Sequence, residues 1–381
     1  MSPPAFSKEG KSMKVFFDKS VVIRGLKKAA SLIPAKGSES LKQLWLTAKD
    51  GRICFDASDG NIFFTGEYPA VVEEEGTIGI NGKIFCGIID SCNDPIQIAA
   101  DDKNAKIKHK GGRCKLPVYG TTVEDKPVSP EHANQIEVNG ETLKEYIEKV
   151  LFCTDSSYCG MDALSCVNFD EDDGRLTLYG IDGRRMAVLS VPAIEIPEQV
   201  LIQRAYLNYL SKWLDNQLIV VSITEKFIFF DNSSGDKVVV PRAHGEFPDS
   251  KALLSRVKNG NDLSVMTIRQ EDLLAALKRV CVVDTDVDST IAFSFNDGKL
   301  HCEAIAESSG SVSEDIPIEY SGNVEKIAFR TKSIIEILEH LTSEEIRFSM
   351  TSETGPCLIT GDNENYKVLI MPVYSNVEKG E

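Results

Sequence analysis

Positive charge, histidine and long apolar runs are all scarce in this 381-residue chain. It carries 42 Lys and Arg against 58 Asp and Glu, a formal net charge of −16. A pI near 4.9 argues against a uniformly basic, nucleic-acid-coating surface, although net charge does not say where individual charges lie. No apolar run approaches the length needed to span a bilayer, so no membrane partner is expected. The opening MSPPAFSKEGKS has no apolar h-region, which argues against a secretory signal; a flexible extension over 1–12 and a cytoplasmic location are expected. The five histidines, His109, His132, His244, His301 and His340, show no His-Glu-x-x-His or triad-like context. PAKGSES has a lysine and serines but lacks the Gly-x-x-x-x-Gly-Lys-[Ser/Thr] spacing that cradles phosphates. No catalytic residue, cofactor or metal is therefore expected. The ten cysteines form no Cys-x-x-Cys pair. Most sit inside apolar segments such as KIFCGII and VLFCTD, as buried reduced thiols do.

Apolar residues make up 42% of the chain, enough for globular folding, and the length predicts two to four domains. Three stretches, VVIRGLKKAASLI, TLKEYIEKVLFCT and DLLAALKRVCVVD, carry apolar residues at helical spacing. Val22, Leu26, Ala29 and Ala30 match Leu143, Ile147, Val150 and Leu151, and then Leu273, Leu277, Val280 and Cys281. A second helix recurs in NGKIFCGIIDSC, QRAYLNYLSKWL and RTKSIIEILEHL, with Ile84, Tyr206 and Ile334 in register. Two independent helices recurring at nearly equal spacing predict a threefold repeat. Short alternating strands split by Asp-Gly turns fill the rest, a hairpin signal because such turns need positive φ. The expected class is α+β, with two helices per repeat packed on antiparallel sheets. Expected domains span 13–130, 131–256 and 257–374, followed by a tail over 375–381. Linkers are placed near DKPVSPEHAN and KALLSRVKNGN.

Similar modules in series form arcs, and arcs close by head-to-tail association. Cations recur on the helices at Arg24, Lys27, Lys28, Lys83, Lys149, Arg204, Lys212, Lys278, Arg279 and Lys332, with Lys36 just beyond the first. A solvated helix face explains any single one. Recurrence in register favours a shared role, and weak positives on an inner surface suit a sequence-independent phosphate backbone. GIDGRRMAVL leaves three readings for Arg184 and Arg185: a nucleic-acid contact, a catalytic pair, or part of a hairpin turn.

In order, MKVFFDKSVVIRGLKKAASLIPAKGS, GIDGRRMAV, GEFPDS and YKVLIMPVY resemble the bacterial DNA polymerase III beta subunit family, the sliding clamps, over roughly residues 13–374. The resemblance implies a DNA clamp fold in a head-to-tail dimer: a ring with helices lining the hole around double-stranded DNA, and no catalysis of its own. The implied function is processivity for the replicative DNA polymerase alpha subunit, with an ATP-driven clamp loader and other clamp-binding-motif proteins as further partners, in the cytoplasm at the nucleoid. It implies a peptide pocket from Met161, Ile181, Gly183, Arg184, Arg185, Met186, Pro248, Leu253, Cys357, Leu358, Leu369, Met371, Pro372, Val373 and Tyr374, with Arg185 bonding the peptide at the rim. It implies a dimer seam in which Leu116 and Val118 face Val282 and Val283. Arg184, Ile181 and Ser250 stand where the family has His, Thr and Tyr, so motif preference departs from the family's. The alternative is a protein-interaction scaffold that encloses no DNA.

Overall fold

The computed structural model describes residues 12–120, 127–128, 135–155, 162–172, 174–191, 194, 196, 198–258, 263–283, 289–306 and 310–373. The first repeat comprises β1 Met13–Phe17, α1 Lys19–Leu32, β2 Gln43–Lys49, β3 Arg52–Ser58, β4 Phe63–Pro69, β5 Val71–Glu74, β6 Gly76–Asn81, α2 Gly82–Ser91, β7 Ile96–Ala100, β8 Asn104–His109 and β9 Gly112–Pro117. The second comprises β10 Gln135–Asn139, α3 Gly140–Leu151, β11 Cys166–Asp172, β12 Arg175–Ile181, β13 Arg185–Val191, β14 Val200–Gln203, α4 Arg204–Trp213, β15 Leu218–Ile223, β16 Phe227–Asn232, β17 Asp236–Pro241 and α5 Ser250–Lys258. The third comprises β18 Ser264–Arg269, α6 Gln270–Val283, β19 Thr290–Asn296, β20 Lys299–Ala306, β21 Gly310–Pro317, β22 Glu319–Ser321, β23 Lys326–Arg330, α7 Thr331–His340, β24 Glu345–Met350, β25 Cys357–Thr360 and β26 Tyr366–Ile370. The fold is α+β with antiparallel sheets, as expected. One expectation is corrected: KALLSRVK is not a linker but α5. Asp249 caps it, its carboxylate accepting from Ala252 N–H at 3.0 Å, and a capped turn with apolar side chains on one side folds as helix.

The apolar stripes read for the first helices face inward, whereas the register read for the second helices is corrected by one residue: Ile84 is 52% exposed, and Phe85 and Leu207, each three residues into its helix, are the buried counterparts of Ile334. Val22, Leu26, Ala29, Leu143, Ile147, Val150, Leu273, Leu277 and Val280 are all buried. Asp50-Gly51 and Asp297-Gly298 both take positive φ at two successive residues, which fits the type I′ hairpin. Asp182-Gly183 differs, since only Gly183 is positive, at 82°. The Asp182 carboxylate instead accepts from the backbone N–H of Arg184 and Arg185 at 2.9 and 2.7 Å.

The chain forms two compact units, one of 1–144 with 208–242, the other of 145–207 with 243–381. In the first, β5-β1-β7-β8-β9 form one sheet and β10-β15-β16-β17-β4-β3-β2-β6 a second. In the other, β14-β11-β12-β13-β26-β25-β24-β18-β22 and β21-β20-β19-β23 form the sheets. Each long sheet therefore joins strands of two successive repeats, through β4·β17 and β13·β26.

The repeats also agree residue for residue. Val15, Ile98, Ile107 and Cys114 stand opposite one another across four strands. Ile136, Val221, Phe230 and Val238 do the same, as do Met266, Phe348, Ile359 and Val368. In the companion hairpins, Ile53 faces Tyr68, Leu176 faces Val191 and Leu300 faces Ile316. Phe64, Ala187 and Val312 each lie four residues before the second member of those pairs. Both junctions then share one register: Phe64 opposite Val238, and Ala187 opposite Val368.

Candidate functional site

At the β13·β26 junction, alternation puts one set of side chains on the face away from α3. Ile181 lies opposite Met186, Tyr179 opposite Val188, Met186 opposite Leu369, and Leu369 opposite Leu358. Together with Leu164 and Val257 these residues form one apolar cluster, against which Phe247, Leu253, Leu254 and Leu263 pack half-buried. The α5 helix supplies Leu253, Leu254 and Val257. Met371 extends the strip as an exposed side chain, 42% accessible, its N–H bonded to Arg184 O at 2.8 Å. Arg184 is exposed beside it, and Pro248, Pro372 and Val373 are half-buried.

The structure thus brings together Ile181, Met186, Leu253, Leu358 and Leu369 from the expected pocket. Leu164, Tyr179, Val188, Phe247, Leu254, Val257 and Leu263 were missed. Period-two alternation through RLTLYGI and RMAVLSV was the signal for Tyr179 and Val188. Met161 and Tyr374 lie outside the described residues. Cys357 is corrected: one residue from Leu358, it points through the other face of the sheet and is wholly buried, where burial pushes its thiol well up. Gly183 is a turn residue whose positive φ suits glycine.

Arg185 is corrected as a rim donor, because its guanidinium is engaged inside the fold. Its Nε donates to Asp182 Oδ2 at 2.9 Å and Nη1 to Glu336 Oε2 at 2.6 Å. Nη2 donates to Phe152 O at 3.3 Å, and the group lies 5.6 Å over the Phe152 ring. With a side chain 11% exposed, Arg185 holds the hairpin onto α7 and the end of α3.

The cations expected to face DNA divide into two groups. Lys28, 13% exposed, is an internal charge: Nζ donates to Asp215 Oδ2 at 2.9 Å, lies 3.6 Å from Asp236 Oδ2 and sits 5.1 Å over the Trp213 ring. Asp236 also accepts from the Tyr68 hydroxyl, whose pKa burial and then Asp236 push up. Lys149 donates to His340 O at 2.5 Å and lies 5.0 Å over Tyr366; burial lowers its pKa. Arg204 donates to Leu151 O and Thr154 O at 2.7 and 2.8 Å, closing the end of α3. Each of these three cations grips another element of its own unit. Lys36, Lys83, Lys212 and Lys332 are exposed and carry no ion pair among the described residues. Arg24, Lys27, Lys278 and Arg279 are more than half exposed and pair with Asp215, Asp90, Glu339 and Glu314.

Of the expected seam residues, Leu116 is packed into its own unit, while Val118 is half-buried. Val282 is 77% exposed, and the Val283 side chain lies outside the described residues. Among the described residues no three His, Cys, Asp or Glu gather to hold a metal, and no helix is long and apolar enough to cross a membrane.

Repeated helix pairs on antiparallel sheets, joined edge to edge and carrying an apolar face at one junction, define an α+β clamp. Residues 13–130 match the family described as DNA polymerase III beta subunit, N-terminal domain, and 259–374 match its C-terminal domain. The chain belongs to the DNA polymerase III beta subunit family, the beta sliding clamps. It is 25% identical to the beta sliding clamp of Streptomyces coelicolor, over 95% of this chain and 99% of that one. The sliding clamp structure of Bacillus subtilis superposes with a TM-score of 0.88 at 21% identity, covering 95% and 99% of the two chains. A Pseudomonas aeruginosa clamp bound to griselimycin superposes with a TM-score of 0.85 at 19% identity, covering 96% and 100%.

Proposed function

We propose that the protein is a DNA polymerase processivity factor: a sliding clamp whose two copies, head to tail, encircle duplex DNA without reading its sequence. Its domains would be 13–130, 131–256 and 257–374, and it would act as a non-catalytic subunit in the cytoplasm at the nucleoid. The observation that carries the reading is the apolar face at the second junction of a chain whose two ends both match the clamp family. Half-buried Leu253 and Leu254 and exposed Met371 beside a rigid sheet suit short peptide motifs, since methionine adapts to different ligands. The replicative polymerase alpha subunit, the clamp loader and other motif-bearing proteins would take turns there. Lys36, Lys83, Lys212 and Lys332, with the half-exposed Arg24, Lys27, Lys278 and Arg279, would give weak, salt-sensitive contacts to phosphates. Such contacts let a ring slide.

Encirclement has a direct test. Clamp placed on circular plasmid by a loader and ATP stays through gel filtration and leaves when the plasmid is cut once. Equal retention on circular and linear DNA contradicts the proposal and favours the non-encircling scaffold.

A further inference from the structure

Matched positions on the two long sheets carry different charge. On the first, Glu137, Val220, Asp231, Lys237, Thr65 and Asp56 stand opposite one another in turn, across β10, β15, β16, β17, β4 and β3. Each lies one residue from the rows that share the repeat's register. Their counterparts on the second sheet are therefore Thr267, Arg347, Thr360, Lys367, Val188 and Tyr179. The first row holds three acids and one base, and Lys237 is paired with Asp231 at 2.9 Å. The second holds two bases and no acid. Threonine stands where Asp231 does in the first, and arginine replaces Val220.

This second row continues the apolar face. Lys367 and Thr360 lie two residues from Leu369 and Leu358 on the same strands, so their side chains leave by the same face of the sheet. Val188 of the apolar cluster stands opposite Lys367. Next to it, Thr267, Arg347, Thr360 and Lys367 line a cleft of about 410 Å³. Arg347 is exposed and carries no ion pair among the described residues. Glu345, Asp362 and Glu364 also line the cleft. Glu345 lies two residues beyond Arg347 on β24, and Asp362 two beyond Thr360, on the side away from the apolar strip. Cations therefore adjoin the strip, and carboxylates close the cleft further out.

We infer that this cleft takes a short acidic segment flanking the apolar motif of a docked peptide, with Arg347 and Lys367 holding its carboxylates. The inference rests on the docking reading above and adds a polar determinant to it. Arginine presents a planar fork that matches a carboxylate. One strand separates the two cations, so their Cα atoms are about 10 Å apart, and neighbouring acidic side chains can each reach one. The segment is short because Glu345, Asp362 and Glu364 repel a longer acidic run. The first junction offers no such cleft chemistry, since the same register positions hold Val220 and the Lys237–Asp231 pair.

The test uses a clamp-binding-motif peptide of the replicative polymerase, extended at one end or the other by Asp-Asp or by Asn-Asn. Binding to the full chain is read by fluorescence polarisation. At one of the two ends the Asp-Asp form should bind about fivefold tighter than its Asn-Asn twin at low salt. Salt of about 0.5 M should erase most of that advantage. Arg347→Ser should remove it while leaving the Asn-Asn affinity unchanged. In Arg347→Glu, a Lys-Lys extension at the same end should bind tighter than Asp-Asp, a reversal that no local folding defect produces. Equal binding of acidic and neutral forms at both ends, or an advantage that survives Arg347→Ser, overturns the inference and leaves the docking face standing. Failure of every form to bind overturns the docking reading as well.

Discussion

The two internal junctions share a backbone and differ in chemistry. On one face, β4·β17 presents Asp56, Ser58, Phe63, Thr65, Phe229 and Val239. The equivalent positions at β13·β26 hold Tyr179, Ile181, Met186, Val188, Leu358 and Leu369. The first set is stitched by a bond from Thr65 Oγ1 to Asp56 Oδ1 at 2.6 Å; the second is a continuous apolar strip under α5. On the opposite face the contrast reverses. The first junction buries Lys28, Asp215, Asp236 and Tyr68 together, while Tyr366 stands where the first has Asp236. One feature survives in both, a tyrosine hydroxyl bonded to the carbonyl of the helix lysine: Tyr209 to Lys28 at 3.1 Å and Tyr366 to Lys149 at 2.8 Å. The strand register is common to both, and side-chain divergence makes one junction a charged clasp and the other a continuous apolar face.

If the clasp is what separates the junctions, breaking it should cost far more than breaking its counterpart. Lys28→Met leaves two carboxylates short of a partner in a largely buried site, and loss of about 3 kcal/mol is expected in urea unfolding. Lys149→Met, which removes one bond to a carbonyl, should cost about 1 kcal/mol. Equal losses would erase the distinction. Gly25→Ala sharpens it next, through the sign of the effect. Alanine in a helix interior normally stabilises by about 1 kcal/mol, but a Cβ at Gly25 would come 1.4 Å from the Tyr68 hydroxyl oxygen. Displacing Tyr68 from Asp236 should make the change destabilising by about 2 kcal/mol; a rise in stability would show the clasp to be soft. At the second junction, Glu336→Gln loosens only one arm of Arg185, so a loss near 1 kcal/mol is expected. Smallest of all, Cys153 and Cys357 should alkylate far more slowly than Cys114, because burial pushes both thiols up. Comparable rates for the three would contradict the packing of both.

Much of this architecture was legible in the sequence. Periodicity found six of the seven described helices, because their apolar stripes repeat at Leu26, Ile147 and Leu277 and at Phe85, Leu207 and Ile334, the second set one residue away from the Ile84 and Tyr206 read in the sequence. The missed helix, α5, looks polar through Lys251, Ser255 and Lys258, yet Asp249 as cap and Leu253, Leu254 and Val257 on one side were readable. Family motifs located the apolar face but misjudged Cys357, whose side depends on strand parity. The inward cations could not be read locally. Lys28 is buried by Asp215 and Asp236, and Arg185 by Glu336, partners far along the chain that only the completed junctions bring near. Lys28 and Lys149, which recur in register, both bond to the next repeat, Lys28 to Asp215 and Lys149 to His340 O.

The proposal that one junction alone serves as a docking face is most directly tested by calorimetric titration with a clamp-binding-motif peptide of the replicative polymerase. The account predicts one molecule bound per chain, with affinity at least tenfold weaker in Leu253→Asp and in Met371→Ala and unchanged in Thr65→Val. Two molecules per chain, or binding indifferent to Leu253 and Met371, would contradict it.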